Sequence, residues 1–259
     1  MYTQEACETR FSRQVDAQRI VQTEDDKIEV GIGEESEGME LLVVTLAHIM
    51  PGRDADALAR IRLISDTIRN APGLVSASFY RSRGKESYYF MLATWEDEEC
   101  WQKAQKRYNP KQLLLGSATE LLIDPPEQWL MHYLWGYSRP AAGSLLAAAH
   151  LGTIYPAYAD RTQRGWIESL RRQAVNPMLS FAFLARGLNE ETMTSPVFSS
   201  TSTSGGGDTP YKHGSIFLNF LSWASQTDRE DFYADPNYQA ISRFLSEEGI
   251  VQILTLDPL

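Results

Sequence analysis

The chain has 259 residues, of which 43% are hydrophobic and 11% aromatic, enough for one large domain or two smaller ones, each with its own core. Its net charge of −10 argues against a protein that binds nucleic acid or adsorbs to anionic membranes, because both need a basic surface. The sequence contains no apolar run of the ~20 residues that span a bilayer and no secretory signal, and Cys7 and Cys100 fit no metal or redox spacing. These features predict a cytoplasmic protein.

Residues 1–38 are polar and are interpreted as an N-terminal arm. The stretch from Thr3 to Val21 has a loose apolar stripe that favours one helix, and an acidic, glycine-containing linker follows it. This pattern is typical of a packing arm or a tail.

Residues 39–126 predict a first domain with the element order βαββαβ. The first predicted strand ends at Pro51-Gly52, and the first predicted helix ends at Ala71-Pro72-Gly73. Two strands and a second helix follow. The predicted strands are Leu41–Ile49, Leu74–Arg81, Tyr88–Trp95 and Thr119–Ile123, and the second helix runs from Glu96 to about Arg107.

Residues 127–259 predict a second domain of the same plan. A strand from Trp129 to Tyr137 precedes a long, Ala-rich helical region from Ala141 to Gln173. The remaining predicted elements are the strands Met178–Arg186, Gly214–Trp223 and Ile250–Leu256 and a helical region from Gln226 to Leu245, with a Ser- and Gly-rich loop before Gly214.

A single βαββαβ unit covers one face of its sheet with helices and leaves the other face bare. Two units can bury both bare faces by packing against each other as a closed barrel. The sequence therefore predicts an α+β protein in which two fused ferredoxin-like units form a barrel within one chain.

The two segments with the most similar design are Ser87–Trp101 and Gly214–Tyr238. Each is an apolar strand that ends in Trp and runs into an acidic helix start. Side chains alternate along a strand, so Phe217, Asn219 and Trp223 share one face. Asn219 and Trp223 lie roughly 13 Å apart on an extended strand and could bracket an aromatic ligand; the alternative is that both are structural.

The histidines offer one candidate general base. His132 lies among Tyr133 and Trp135 in the first strand of the second domain, and an imidazole is suited to proton abstraction near neutral pH. A hydrogen-bonded structural His132 is the alternative. His150 falls in the stretch predicted as helix and is assigned a structural role. No His, Cys or carboxylate spacing predicts a metal site.

The chain resembles the antibiotic biosynthesis monooxygenases, a family of dimeric α+β barrels, through LVSASFYRSRGKESYYFMLATWEDEECW in the first half and SIFLNFLSWASQTDREDFYADP in the second. In cofactor-independent members, an Asn four residues before the strand-ending Trp helps to bind a phenolic substrate. This implies catalytic roles for Asn219 and Trp223, whereas the first half has Met91 at the Asn position. The resemblance further implies that Trp95, Trp101 and Tyr233 bind the substrate. The predicted substrate-binding set also includes Phe217, which shares a strand face with Asn219, and Tyr133 and Trp135, which are close to His132 in the sequence.

The resemblance implies an oxygenase that acts with O₂ on an aromatic polyketide-like phenol or anthrone, by quinone formation or ring cleavage, in secondary metabolism. No tightly bound cofactor is expected, although a reduced flavin from a partner reductase and a homodimer stay open. The haem-degrading members need a His on the helix after the Trp, which neither half has. The alternatives are a non-oxidative polyketide cyclase or isomerase, and a protein that binds aromatic molecules without turnover.

Overall fold

The computed structural model describes residues 40–138, 146–174, 179–192 and 213–259. Within these ranges eight strands form a closed antiparallel barrel in the order β1-β3-β2-β8-β5-β7-β6-β4. The predicted α+β fold with a barrel inside one chain is confirmed. The predicted N-terminal arm and the Gly-rich loop lie outside the described residues.

The first half supplies β1 to β4 and three helices. In chain order these elements are β1 (Leu41–Ile49), α1 (Asp54–Ile68), β2 (Leu74–Ser82), β3 (Ser87–Trp95), α2 (Glu98–Tyr108), α3 (Pro110–Ser117) and β4 (Glu127–Ser138). Helix α1 packs on the sheet through Ala57, Ile61, Ile64 and Ile68, the apolar stripe that its sequence predicts.

The second half repeats this order, with a longer second and third strand. Its elements are β5 (Leu146–Ile154), α4 (Ala159–Ala174), β6 (Leu179–Thr192), β7 (His213–Trp223), α5 (Gln226–Ala234), α6 (Pro236–Glu248) and β8 (Gly249–Pro258). Ser225 caps α5 by accepting a hydrogen bond from the Asp228 backbone N–H, and Asp235 caps α6 in the same way, with Pro236 at its first turn.

The fourth strand of each half closes the barrel. β4 pairs with β1 of its own half and with β6 of the other, and β8 pairs in the same way with β5 and β2. Each of these two strands therefore joins the strands of one half to those of the other and closes the barrel at a seam, although the pairing at each seam covers only part of the strands.

Two sequence predictions of secondary structure are wrong. The Ala-rich stretch Leu146–Ile154 is the strand β5, not part of a helix. Its alternate residues pack inside the barrel and beneath the helices, so both faces are buried and small side chains fit there. The expected strand Thr119–Ile123 is a short 3-10 turn, Thr119–Leu121, and Leu122 forms only an isolated bridge with Ile49.

The pairing pattern shows how the two halves correspond. Leu41 lies opposite Trp95 at the start of β1, and Leu146 lies opposite Trp223 at the start of β5. β4 is thus the counterpart of β8. We therefore infer that the second unit begins at β5 and not at residue 127, where the sequence placed the domain boundary.

Matching ion pairs support this correspondence. Arg81 on β2 pairs with Asp54 at the start of α1, and Arg186 on β6 pairs with Asp160 at the start of α4. Both pairs are partly exposed, so each contributes at most about 1 kcal/mol. The two ion pairs show that the units correspond, because each pair connects the second strand of its unit to the first helix of that unit.

The apolar core has an inner and an outer layer. The inner layer fills the barrel, where Phe220 stacks on Phe183 at 5.3 Å and meets Tyr80 of the other half at 5.2 Å. Each fully buried Phe stabilises the fold by roughly 1.5–3 kcal/mol. The outer layer lies between the barrel wall and the helices of each unit, and it contains the candidate site.

Candidate active site

A buried polar cluster in the apolar outer layer lies in the second unit, between strands β5 and β7 and helices α5 and α6. His150, Asn219 and Trp223 form its floor on the strands. Phe232, Tyr233 and Tyr238 of the two helices cover them. Three of these residues, Asn219, Trp223 and Tyr233, belong to the site predicted from sequence, and the structure brings them together.

Asn219 lies in the middle of this floor and is 2% exposed. No described residue hydrogen-bonds its Oδ1 atom. Leaving a buried amide oxygen unpaired costs about 1–3 kcal/mol, so the site has an unmet demand for a hydrogen-bond donor. A hydroxyl group of a ligand would meet this demand.

Trp223 is fully buried at the end of β7. Its ring lies 5.3 Å from the ring of Phe232 and 5.6 Å from that of Tyr233, in tilted and edge arrangements that aromatic rings favour. The indole Nε1 has no partner among the described residues. The site therefore offers a buried donor, Trp223 Nε1–H, and a buried acceptor, Asn219 Oδ1.

His150 lies directly opposite Asn219 in the β5–β7 ladder. Its Nε2 atom is 3.0 Å from the Tyr233 hydroxyl oxygen. Burial lowers the pKa of His150 to about 4, because the charged imidazolium loses its hydration. The side chain is therefore a neutral imidazole at neutral pH, able to accept a proton or to hydrogen-bond a phenol.

The two tyrosines above this floor are held in the protonated form. Burial, and secondarily the neighbouring Tyr238, raises the pKa of Tyr233 well above its ordinary value. Burial also raises the pKa of Tyr238 to about 12. The rings of the two tyrosines meet edge to face at 5.0 Å. The compartment thus presents neutral dipolar groups and aromatic rings, a lining suited to a phenolic molecule.

Three other predicted site residues lie elsewhere. His132 faces Leu41 on β1 and Arg186 on β6, and β6 separates its strand from β7, a distance of about 10 Å across two strand spacings. Tyr133 packs against the core inside the barrel, with its hydroxyl 2.9 Å from Thr94 Oγ1. Trp135 packs at the margin of the second-unit outer layer.

Phe217 shares a face with Asn219 and packs between the Trp166 ring, at 6.1 Å, and the Arg186 guanidinium, at 5.4 Å. It is an apolar wall next to the site. Trp95 and Trp101 form a corresponding pair in the first unit, with ring centroids 5.3 Å apart. They are on the other side of the barrel and do not reach the cluster around Asn219.

The first unit keeps a buried indole nitrogen, Trp95 Nε1, that has no partner among the described residues, but it lacks the imidazole and the amide at the equivalent positions. Thr45 on β1 corresponds to His150, and Met91 on β3 corresponds to Asn219; the two face each other in the β1–β3 ladder. Thr45 Oγ1 accepts a hydrogen bond from Gln128 Nε2 at 2.9 Å, so it is satisfied within the protein. Only the second unit combines an imidazole with an unsatisfied amide.

His150 is a residue of the candidate site to which the sequence analysis assigned only a structural role. A signal for it was present: aligning Pro51 with Pro156 places LLVVTLAHI over LAAAHLGTI, so that β5 matches β1. The Ala run concealed this match, because Ala favours helices by intrinsic propensity.

Among the described residues, no group of three His, Cys, Asp or Glu side chains could hold a metal ion. In the same part of the chain, every helix is too short or too polar to cross a membrane.

Residues 41–109 match the family model described as antibiotic biosynthesis monooxygenase. The match runs from β1 through α2 and confirms the resemblance seen in the first half. No curated protein matches the chain.

Solved structures with the same fold include an anthrone oxidase-like protein. It shares 12% identity at a TM-score of 0.63, with 86% of this chain and 92% of that chain covered. A candidate monooxygenase from Fusobacterium nucleatum shares 6% identity at a TM-score of 0.62 (86% and 93% covered). A candidate monooxygenase from Lactobacillus acidophilus shares 7% identity at a TM-score of 0.56, with 85% of this chain and 94% of that chain covered. At these identities the likeness shows the fold, which here extends over both units.

Proposed function

We propose that this protein is a monooxygenase of aromatic polyketide-like phenols or anthrones, and that the second unit performs the reaction. The observation that carries the proposal is the pair of unpaired buried atoms, Asn219 Oδ1 and Trp223 Nε1, beside the neutral imidazole of His150. The monooxygenase family match in the first unit and the structural likeness to an anthrone oxidase-like protein support it.

In this proposal each polar group has one task. Asn219 Oδ1 accepts a hydrogen bond from a substrate hydroxyl, and Trp223 Nε1–H donates to a substrate oxygen, where it stabilises developing negative charge. His150 accepts the proton that the substrate loses, and the imidazolium and the substrate anion then stabilise each other inside the apolar compartment.

The electron-rich anion then reacts with O₂. For an anthrone, one oxygen atom becomes the new ring carbonyl, and the two methylene hydrogens leave with the second oxygen atom as water. The substrate supplies all the electrons, so this reaction needs no external reductant. The protein contributes orientation, exclusion of water and charge stabilisation.

Substrate entry requires a rearrangement, because His150 and Asn219 are each 2% exposed and Trp223 is fully buried. Tyr233 is itself a phenol and already occupies the hydrogen-bonding position on His150 Nε2. We infer that the substrate hydroxyl takes the place of the Tyr233 hydroxyl when α5 moves outward.

The proposed reaction also involves O₂ and, for some substrates, a reductant. O₂ is the co-substrate, and no tightly bound cofactor is required for an anthrone. Hydroxylation of a less reactive phenol would need a reductant, for which a reduced flavin from a partner reductase is the candidate. Assembly into a homodimer and a cytoplasmic location stay predictions.

The test is oxygen uptake by the purified protein with a panel of anthrones and polycyclic phenols, with and without reduced flavin. Uptake is expected with wild-type protein and is expected to fall at least a hundredfold in Asn219→Ala and His150→Ala, the range for loss of one catalytic group. The matched controls are Met91→Ala and Thr45→Ala, which remove the equivalent first-unit side chains and should retain uptake.

Other outcomes would assign a different function. Substrate conversion without oxygen uptake would favour the cyclase or isomerase and overturn the oxygenase. Binding that Asn219→Ala weakens, with no conversion under either condition, would leave a binding protein. Equal losses of oxygen uptake in the second-unit variants and their first-unit controls would contradict the proposal that the second unit performs the reaction.

A further inference from the structure

A cavity of about 260 Å³ lies at the seam between the two units, where α2 and β4 of the first unit meet β6 and β7 of the second. Its walls include Trp101 and Gln105 of α2, Gln128 and Leu130 of β4, and Gly187 of β6. None of the described residues that line it is charged. Its volume is a little below the ~300–1,000 Å³ of typical small-molecule sites, so it suits a ligand of a few rings.

The cavity lies where the barrel wall is incomplete. The described β4–β6 pairing ends with Met131 opposite Gly187, so the first residues of β4 pair on one side only, with β1. The gap that this leaves is lined by Trp129 of β4 and extends to Ile216 of β7. The opening therefore begins at a gap in the strand pairing, and the side chains around this gap decide how far it is filled.

The two units differ at the residue that fills this space. Gln105 comes ten residues after Trp95, just as Tyr233 comes ten residues after Trp223. In the second unit the Tyr233 ring closes over His150, whereas in the first unit the smaller Gln105 lines an open cavity. One unit is thus closed by its own phenol ring and the other is open.

The hydrogen-bonding capacity of the cavity points to the class of ligand. Gln128 Nε2 donates one hydrogen to Thr45 Oγ1 and the other to Asn109 Oδ1, both at 2.9 Å. A primary amide nitrogen has only two hydrogens, so Gln128 Oε1 is the atom left to pair with a ligand, and it can only accept. Trp101 and Trp129 add flat aromatic surface.

We propose that this cavity is a second binding site, which takes a neutral, hydroxyl-bearing aromatic compound of two or three rings and does not convert it. The hydroxyl donates to Gln128 Oε1, and the rings pack against Trp101. The bound compound is not converted, because Thr45 and Met91 occupy the positions that His150 and Asn219 occupy in the second unit. The ligand class rests in part on the proposed function, since both sites would recognise phenols.

The test is calorimetric titration of the full chain with 1-naphthol under nitrogen, so that no oxygenation occurs. Wild-type protein is expected to bind two molecules per chain. Gln128→Leu should weaken one of the two sites about tenfold, the effect of losing one buried hydrogen bond to a ligand. Gln105→Tyr, which places the second unit's residue in the first unit, should weaken the same site while leaving Gln128 and its partners intact.

His150→Ala should weaken only the other site. A single site that responds to His150→Ala but to neither cavity variant would overturn this proposal and leave the proposed function standing. A single site that responds to the cavity variants alone would support this proposal and overturn the proposed function. Thermal unfolding of each variant checks that it is folded, and Gln105→Tyr keeps the test decisive if Gln128→Leu is unstable.

Discussion

His150 and Asn219 lie directly opposite each other on neighbouring strands, and their first-unit counterparts, Thr45 and Met91, do the same. Side chains at opposite positions of an antiparallel pair have Cβ atoms only about 5 Å apart. The two units therefore share one backbone arrangement and differ in the chemistry that they place on it. This difference is the reason why we propose that the second unit performs the reaction.

Asn219→Leu is expected to raise the free energy of unfolding by about 1 kcal/mol and to abolish oxygen uptake. The unpaired buried amide oxygen costs stability, and Leu has a similar volume without that cost. Chemical denaturation measures the first effect, with Met91→Leu as the matched control. A loss of more than about 1 kcal/mol in Asn219→Leu would mean that the amide is structural.

Acid should destabilise the wild-type protein through His150. The pKa of this residue is about 4 when folded and about 6.5 when unfolded, so the unfolded chain binds its proton first as the pH falls. The contribution of His150 to the free energy of unfolding is fully present above pH 6.5. It decreases by about 3 kcal/mol in total as the pH falls toward 4.

His150→Gln should remove this part of the acid sensitivity. Urea unfolding of both proteins at pH 7 and pH 4.5 isolates the contribution, because the other titrating groups are common to both. Parallel pH dependence in the two proteins would contradict the burial of a neutral imidazole.

Tyr233→Phe is expected to lower KM for a phenolic substrate about fivefold and to change kcat little. The variant keeps the ring but removes the hydroxyl that hydrogen-bonds His150, so the substrate no longer competes with it. Tyr238→Phe is the control, since Tyr238 contacts the His150 ring from the edge at 5.9 Å. A raised KM in Tyr233→Phe alone would make Tyr233 a substrate contact.

A fragment comprising residues 40–142 should form a dimer and not a monomer. Its sheet would leave the inner face bare, and β4 needs a neighbour equivalent to β6 on its second edge, which β2 of another copy can supply. Light scattering coupled to size-exclusion chromatography measures the mass. A folded monomer would contradict the inferred correspondence of β4 and β8.

The fold class could be predicted without a structure. Trp95 and Trp223 end two apolar strands, and each is followed by an acidic helix start, so the repeat was visible without a structure. Asn219 was selected because a polar residue on an apolar strand face is costly unless it has a use, and the family resemblance added Trp223 and Tyr233. Local pattern was sufficient for these features, since alternation and helix starts depend on neighbours in the chain.

The role of His150 and the position of β5 depend on contacts between residues that are distant in the sequence. Whether LAAAHLGTI is a helix or a strand depends on what covers its two faces, and here the barrel interior and the helices cover both. That burial makes β5 a strand, and the β5–β7 register then places His150 beside Asn219. The same burial depresses the His150 pKa. Contacts between residues distant in sequence create the site, and no local pattern contains them.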